Sequence, residues 1–407
     1  MDDNIATDAI FYFEAGNNHL TEKAWAQAEV CYRQALTLQN NLAEVYANLA
    51  FVLEAQNRKE EAQLAYAQAF KLQADNTQII LNYADLLSET KQFNIAESLY
   101  LQILSVEENP QAWSSLGVLY ARTHNTSAAM ECYARAIALA PDYANPKFNR
   151  SYLQLLHGNF IDGWQDFEHR SWYAVLKSQM NCPRWQGESL AGKSIFVGCE
   201  AGYGDTLQFC RYLPMLKQQG AAQVTLLCYP TLKPLFSSLA GIDHLYAMGE
   251  DIPNLDWAYW TPMLSLPHIF KTDLDTIPNN IPYLSVSAEK KQSWAKRLAT
   301  TKPRIGLVWQ GSQRHENDTD RSISTIKLLE PLLNRTEVHW ISLQKPLTQQ
   351  DHVQMTTWNI QHLGDDIIDF SDTAAIISQL DLLITVDTAV AHVAGALGVR
   401  CWLMLPA

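Results

Sequence analysis

An all-α array of helical hairpins followed by two α/β domains is the fold class this sequence predicts, and three observations predict it. A self-similar segment recurs about every 34 residues through the first third. The texture then changes to short apolar runs, rich in β-formers, alternating with helical stretches. Glycine-rich turns or small-residue helices directly follow two of those runs.

The array is read from four segments in register: "AEVCYRQAL" (Ala28 to Leu36), "AQLAYAQAF" (Ala62 to Phe70), "AESLYLQIL" (Ala96 to Leu104) and "AMECYARAI" (Ala129 to Ile137). Each carries a tyrosine at the same place, Tyr32, Tyr66, Tyr100 and Tyr133. The fourth unit adds Trp113, Gly117, Tyr120, Ala129, Ala136 and Pro141, the large, small, aromatic, small and helix-stopping positions of the tetratricopeptide pattern. Small residues allow paired helices to approach closely while aromatics fill the gap to the next pair, so each unit buries its face only against neighbours. A degenerate fifth unit is expected from Ala144 through "NFIDGWQDFEHRSWY" to Tyr173. Such solenoids offer a concave groove, and a protein or peptide is the expected partner; Asn48 and Asn82, one period apart, are either groove donors or ordinary surface polars.

The composition shifts at "MNCPRWQGESLAGKS", where Pro183 and Gly187 break helix. The expected domains are therefore the repeat array over 1–176, a linker over 177–192, a first Rossmann-like domain over 193–288 and a second over 289–407. Strands are expected at "SIFVG", "QVTLLCY", "IDHLYAM" and "IPYLSV" in the first, and at "RIGLVWQG", "VHWISLQ", "NIQHLG", "LDLLITVD" and "RCWLMLP" in the second, after the polar helix "AEKKQSWAKRLATTK". Two such halves in tandem imply a cleft.

Composition bounds the function. The 407 residues are 47% hydrophobic and carry a net charge of -13, which argues against general affinity for nucleic acid or anionic membrane. The acidic N-terminus is unlike a signal peptide, and no apolar run approaches the roughly 18 residues that span a bilayer, so a cytoplasmic location is expected. Seven scattered cysteines without C-x-x-C indicate neither a disulfide framework nor zinc.

In open parallel sheets, ligands sit beyond the carboxyl ends of strands, where glycines admit the backbone and helix N-termini offer unpaired N–H groups. Gly198, Gly202 and Gly204 suit such a turn in "VGCEAGYGDTLQFCRYLPML", though not with G-x-G-x-x-G spacing, which disfavours a nicotinamide dinucleotide. Asp205 is either a first-turn acid favoured by the helix dipole or a general base facing the cleft. In "LLITVDTAVAHVAGALG" a buried strand ends in Asp387, and Thr388 opens a helix rich in small residues with His392 one turn on. Either this is a capped helix with a core histidine, or a nucleotide diphosphate lies on the helix N-terminus and Thr388, with Asp387 or His392 toward ribose or phosphate. Gln310, Gly311 and Ser312 end the first strand of the same half, Arg314, His315, Asp318 and Arg321 follow in the loop, and Gln344 and Lys345 end the next strand. Arg321 or Lys345 could neutralise a leaving diphosphate, work that other enzymes give to a metal. The D-x-D at Asp318 to Asp320 follows a polar loop and reads as solvated, so no metal or cofactor is expected.

The segments "GYGDTLQFCRYLP", "GLVWQGSQRHENDTDRSIS", "SLQK" and "DFSDTAAIISQLDLLITVDTAVAHVAGALG" together resemble bacterial tetratricopeptide-repeat glycosyltransferases related to the lipopolysaccharide heptosyltransferases, glycosyltransferase family nine. The resemblance covers nearly the whole chain and implies a GT-B fold and metal-independent, inverting transfer from a nucleotide-diphosphate sugar. It places Asp205 as the base and Asp387, Thr388 and His392 at the donor nucleotide. Relatives usually have Leu where Tyr203 stands, and they continue beyond "CWLMLPA" through an aromatic, Arg-rich tail, so a C-terminally truncated second domain is expected. The rival expectation is a non-catalytic scaffold with a degenerate nucleotide-binding module.

Overall fold

The structure, a computed structural model, describes residues 2–253, 256–312 and 318–405; Arg314 and His315 lie outside the described residues. The chain divides into two compact units, Met1–Arg170 and Ser171–Ala407. No helix among the described residues is long and apolar enough to cross a membrane.

The first unit is a run of helical hairpins: α1 (Asp2–Thr21) with α2 (Trp25–Leu38), α3 (Ala43–Ala55) with α4 (Lys59–Leu72), α5 (Thr77–Glu89) with α6 (Phe93–Leu104), α7 (Pro110–Arg122) with α8 (Thr126–Leu139), and α9 (Ala144–Leu156) with α10 (Phe160–Phe167). The tyrosines of α2, α4, α6 and α8 are fully buried. Gly16 and Gly117 show why the facing position is small: a Cβ there would lie 2.5 Å from the Tyr32 ring and 2.6 Å from the Tyr133 ring. Ala50 and Ala84 hold the corresponding places in α3 and α5, and both are buried. The phenols find acceptors, Tyr32 on Asn17 at 2.8 Å, Tyr66 on Glu54 at 2.8 Å and Tyr100 on Asp85 at 2.6 Å.

Each hairpin turns the same way. The first helix ends at a residue with left-handed backbone, at Lys23, Asn57, Lys91, His124 and Gly158 in succession. The following N–H then reaches back five residues to a carbonyl, as in Arg58 to Leu53 at 2.9 Å and Asn125 to Tyr120 at 2.8 Å, which is the Schellman closure of a helix C-terminus. Asn48 is engaged inside the array, donating to Asn17 Oδ1 at 2.9 Å, and Asn82 accepts from Gln78 at 2.8 Å.

The second unit holds two parallel sheets. The first has the order β3-β2-β1-β4, with β1 Ser194–Gly198, β2 Gln223–Cys228, β3 His244–Ala247 and β4 Tyr259–Pro262. The second has the order β7-β6-β5-β8-β9, with β5 Arg304–Val308, β6 His339–Ser342, β7 Gln361–His362, β8 Leu382–Val386 and β9 Cys401–Met404. Both are doubly wound: strand order runs outward one way from β1 or β5 and then reverses, leaving a switch point between β1 and β4 and another between β5 and β8.

Two sequence expectations change. "IPYLSV" is not a strand; the ladder position belongs to Tyr259–Pro262, paired in parallel with β1. Residues 281–286 instead strap the two halves together: the amides of Tyr283 and Leu284 donate to the Ala396 carbonyl at 3.0 and 3.3 Å, and the Tyr283 hydroxyl donates to the Leu207 carbonyl at 3.0 Å. The stretch expected as a linker also builds structure. The helix Ala174–Gln179 runs across its expected start at 177, and residues 183–185 pair with β4, Trp260 N–H to Pro183 O at 3.1 Å and Trp185 N–H to Trp260 O at 2.8 Å. Trp185 is buried there against Phe270.

Candidate functional site at the carboxyl edges of the two sheets

Both switch points open at strand carboxyl ends, and the helix that follows β1 meets the helix that follows β8. The first, Tyr203–Phe209, begins at Gly202; the second, Ala389–Leu397, has Thr388 as its N-cap. Neither Gly198 nor Gly204 has left-handed backbone. Their missing side chains make room instead: a Cβ on Gly198 would meet Leu176 at 2.4 Å, and one on Gly204 would meet His392 Cδ2 at 2.8 Å. Gly204 thus brings the backbone of the Asp205 turn against the imidazole of His392.

Asp205 takes the first-turn position, its Oδ2 accepting the Gly202 N–H at 3.0 Å. Burial pushes its carboxyl above the ordinary value, opposed by the Gly202 amide and by His392, and reinforced by Asp387. Burial also lowers the proton affinity of His392 despite the nearby Asp205 and Asp387, and Arg211 adds to that lowering. The result is a partly buried carboxylate with raised basicity beside an imidazole held toward its neutral form, with an exposed Asp387 at the end of β8. Thr388 makes no side-chain capping bond; its hydroxyl lies 3.3 Å from that of Thr385. The first N–H groups of a helix capped in this way are a natural seat for an anion.

The remaining expected donors are occupied by the fold. Gln344, 1% exposed, accepts the N–H groups of Trp309 and Gln310 at 3.0 and 2.9 Å and donates to the carbonyls of Gln310 and Pro346 at 3.2 and 3.4 Å. It brackets the ends of β5 and β6, because a side-chain amide offers an acceptor oxygen and a donor NH2 together. Gly311 donates to Ser322 Oγ at 2.8 Å, and a Cβ on it would strike Asp318 and Arg321 within 3 Å. Arg321 Nε lies 3.6 Å from Asp318 Oδ1, so this aspartate, expected to be solvated, anchors the arginine. Lys345 Nζ caps the Ile367 carbonyl at 2.6 Å, and Gln310 Nε2 donates to the Ser324 carbonyl at 3.2 Å. Asp205, Asp387, Thr388 and His392 therefore come together with Gly202 and Gly204, while Gln310, Gly311, Arg321, Gln344 and Lys345 form the braced floor of the neighbouring loops.

Sequence reasoning assigned no role to Arg211, which lies on a single 3-10 turn after the Asp205 helix. Its guanidinium covers the Tyr283 ring at 4.7 Å and donates to the Pro278 carbonyl at 3.2 Å, while its buried Nε has no partner among the described residues. Tyr229 and Phe370 flank Tyr203 with ring centroids 4.8 and 5.3 Å away, making an aromatic cluster beside the Asp205 turn. Only Tyr203, as a departure from the usual leucine, carried a signal in the sequence.

Known proteins resemble parts of this architecture. Protein FlbA of Caulobacter vibrioides is 24% identical over 316 residues, which is 71% of this chain and 52% of that protein, so the chain spans about half the length of the curated relative it matches. Solved structures align with about two-fifths of the chain: Pseudomonas aeruginosa PilF (TM-score 0.37, 20% identity, 41% of this chain, 76% of that one), the type IV pilus biogenesis factor PilW (0.38, 15%, 42%, 78%) and YrrB, described as a tetratricopeptide protein with an unusual peptide-binding site (0.34, 18%, 40%, 84%). Residues 43–76 and 110–143 each match the tetratricopeptide repeat family model. The first unit is built of tetratricopeptide repeats.

Proposed function

We propose that the protein transfers a sugar from a nucleotide-diphosphate donor to an acceptor hydroxyl, with the repeats holding the acceptor, a protein or peptide. The observation that carries this reading is the contact at Gly204, which joins the basic carboxylate of one switch point to the anion-seating helix of the other. The diphosphate lies on the N-terminus of Ala389–Leu397 beside Thr388. Asp205 takes the acceptor proton, the acceptor oxygen bonds to the anomeric carbon, and the bond to phosphate breaks with its electron pair leaving on the nucleoside diphosphate. Holding both reactants at one edge supplies much of the rate. Arg211, electrostatically felt by His392, is a better candidate for balancing the departing charge than Lys345, which is held on the Ile367 carbonyl; Arg321, whose Nε is likewise buried without a hydrogen-bond partner among the described residues, is the alternative.

A second reading, a repeat scaffold or adaptor whose second unit is catalytically idle, is favoured by that same engagement of Arg321, Gln344 and Lys345 and by the repeat matches at 43–76 and 110–143. Calorimetric titration with uridine, guanosine, adenosine and cytidine diphosphates separates the two. Selective binding that disappears in Thr388→Ala, His392→Ala is expected, and Asp205→Asn should then lower release of diphosphate from the matching sugar donor by roughly 100-fold or more while leaving affinity intact. Absence of binding to all four nucleotides would leave the scaffold reading, and full turnover in Asp205→Asn would remove the base assignment.

A further inference from the structure

Outside the Asp205 and His392 cluster, the second unit has a half-open cavity of about 450 Å³ beside the edge strand β4. That volume is in the range of small-molecule sites. Its walls include Tyr173, Lys177, Met180, Arg184 and Trp260, two cations and two aromatic rings, and among the described residues no carboxylate contributes to the lining. In a chain of net charge -13, a concave wall with only positive charge is a local reversal of sign.

The cations differ in kind. Arg184 is fixed: its backbone bridges β4 at Trp260, its guanidinium lies over the Tyr173 ring at 4.6 Å, and it donates to Tyr173 Oη at 3.1 Å and Ser265 Oγ at 2.8 Å. A guanidinium held flat in this way is oriented for a planar or tetrahedral oxyanion before any ligand arrives. Lys177 is exposed on the Ala174–Gln179 helix and makes no ion pair among the described residues, so its ammonium can swing onto a bound anion. The rings are inclined, Tyr173 and Trp260 at 56° with centroids 6.4 Å apart, and Met180 adds a polarizable thioether.

We propose that this cavity binds a small anion bearing a flat aromatic ring, the ring against Tyr173, Met180 and Trp260 and the anionic group between Arg184 and Lys177. The site is independent of the sugar-transfer reading, because none of its residues belongs to the Asp205 and His392 cluster.

Calorimetry on the full chain with 1-naphthyl phosphate, 1-naphthol and inorganic phosphate tests it. The expected result is one site for 1-naphthyl phosphate, with each fragment binding at least roughly tenfold more weakly, since ring and charge contribute separately. Arg184→Gln should weaken binding by roughly tenfold or more, as loss of a charge-assisted pair requires. Lys177→Gln should weaken it by a few-fold, and Thr388→Ala, His392→Ala should leave it unchanged. Because Arg184 is braced to the sheet, Lys177→Gln, a surface change, carries the test alone if Arg184→Gln melts early. No binding of 1-naphthyl phosphate, phosphate binding as tightly as the whole probe, or affinity indifferent to Lys177→Gln would each overturn the proposal.

Discussion

The two units use the same device, a residue without a side chain set against a ring, to opposite ends. In the repeats the device recurs: Gly16 lies under Tyr32 and Gly117 under Tyr133, with Ala50 and Ala84 between. Every copy serves the same purpose, close packing of neighbouring helices, and its cost and benefit are shared along the array. In the second unit it occurs between halves, with Gly204 against His392, where the ring is titratable and the glycine's neighbour is an acid. Repetition marks a packing rule, whereas a single close approach between chemically active groups marks a place.

This contrast can be broken most forcefully in the array. Tyr66→Ala should destabilise the first unit by about 3–5 kcal/mol, the range for deleting a large buried aromatic. In urea monitored by circular dichroism, the loss should fall on the repeat transition and leave the second unit's transition in place. A shift of both transitions together would mean that the units do not unfold separately.

Next in size is Gly204→Ala, whose new methyl would sit 2.8 Å from His392 Cδ2. Overpacking of this kind costs about 1–3 kcal/mol. Combined with His392→Ala, most of that penalty should vanish, since direct neighbours couple by about 0.5–3 kcal/mol. Additive effects in the double-mutant cycle would show that the two residues do not touch in solution.

The third test is by pH. Burial holds the folded-state proton affinity of His392 below its ordinary value of 6.5, so protonation favours the unfolded chain. The stabilising contribution is therefore present above about 6.5 and is lost as pH falls through it. The second unit's urea midpoint should decline over that window, and His392→Gln should flatten the decline. An unchanged profile in the variant would remove His392 as its source. The smallest effect is expected at His124, a side-chain-bearing residue at φ 59°. Relief of left-handed strain worth about 1–2 kcal/mol, less the added flexibility of glycine at about 0.5–1, leaves His124→Gly stabilising by about 0.5 kcal/mol in the repeat transition.

How much of this was legible in the sequence follows from the same contrast. The repeats were plain because the period, the tyrosines and the small residues are all local and occur several times over. β4 escapes a reading of the sequence because four residues ending in Pro262 make a weak strand pattern, and "IPYLSV" reads as a strand because an apolar, β-rich run looks the same whether its amides meet a ladder or, as here, the carboxyl end of a helix. At the candidate site, residue types and the sheet edge were readable, including Asp205, Thr388 and His392. Occupancy was not: that Gln344 is saturated by Trp309, Gln310 and Pro346, or that Lys345 serves the Ile367 carbonyl, depends on which loops lie side by side. The glycines likewise read as turn formers, while Gly198 and Gly204 answer to Leu176 and His392.

The pairing of residues 183–185 with β4 bears on how the protein is to be divided in the laboratory. A fragment begun at the composition shift, near Lys193, would lack Trp185 and leave the Tyr259–Pro262 backbone as a bare sheet margin, which invites intermolecular pairing. A fragment begun near Ser171 keeps the cover, the Ala174–Gln179 helix and the Leu176 contact with Gly198. Solubility of the excised catalytic candidate thus hinges on some twenty residues that composition alone would have assigned to the cut.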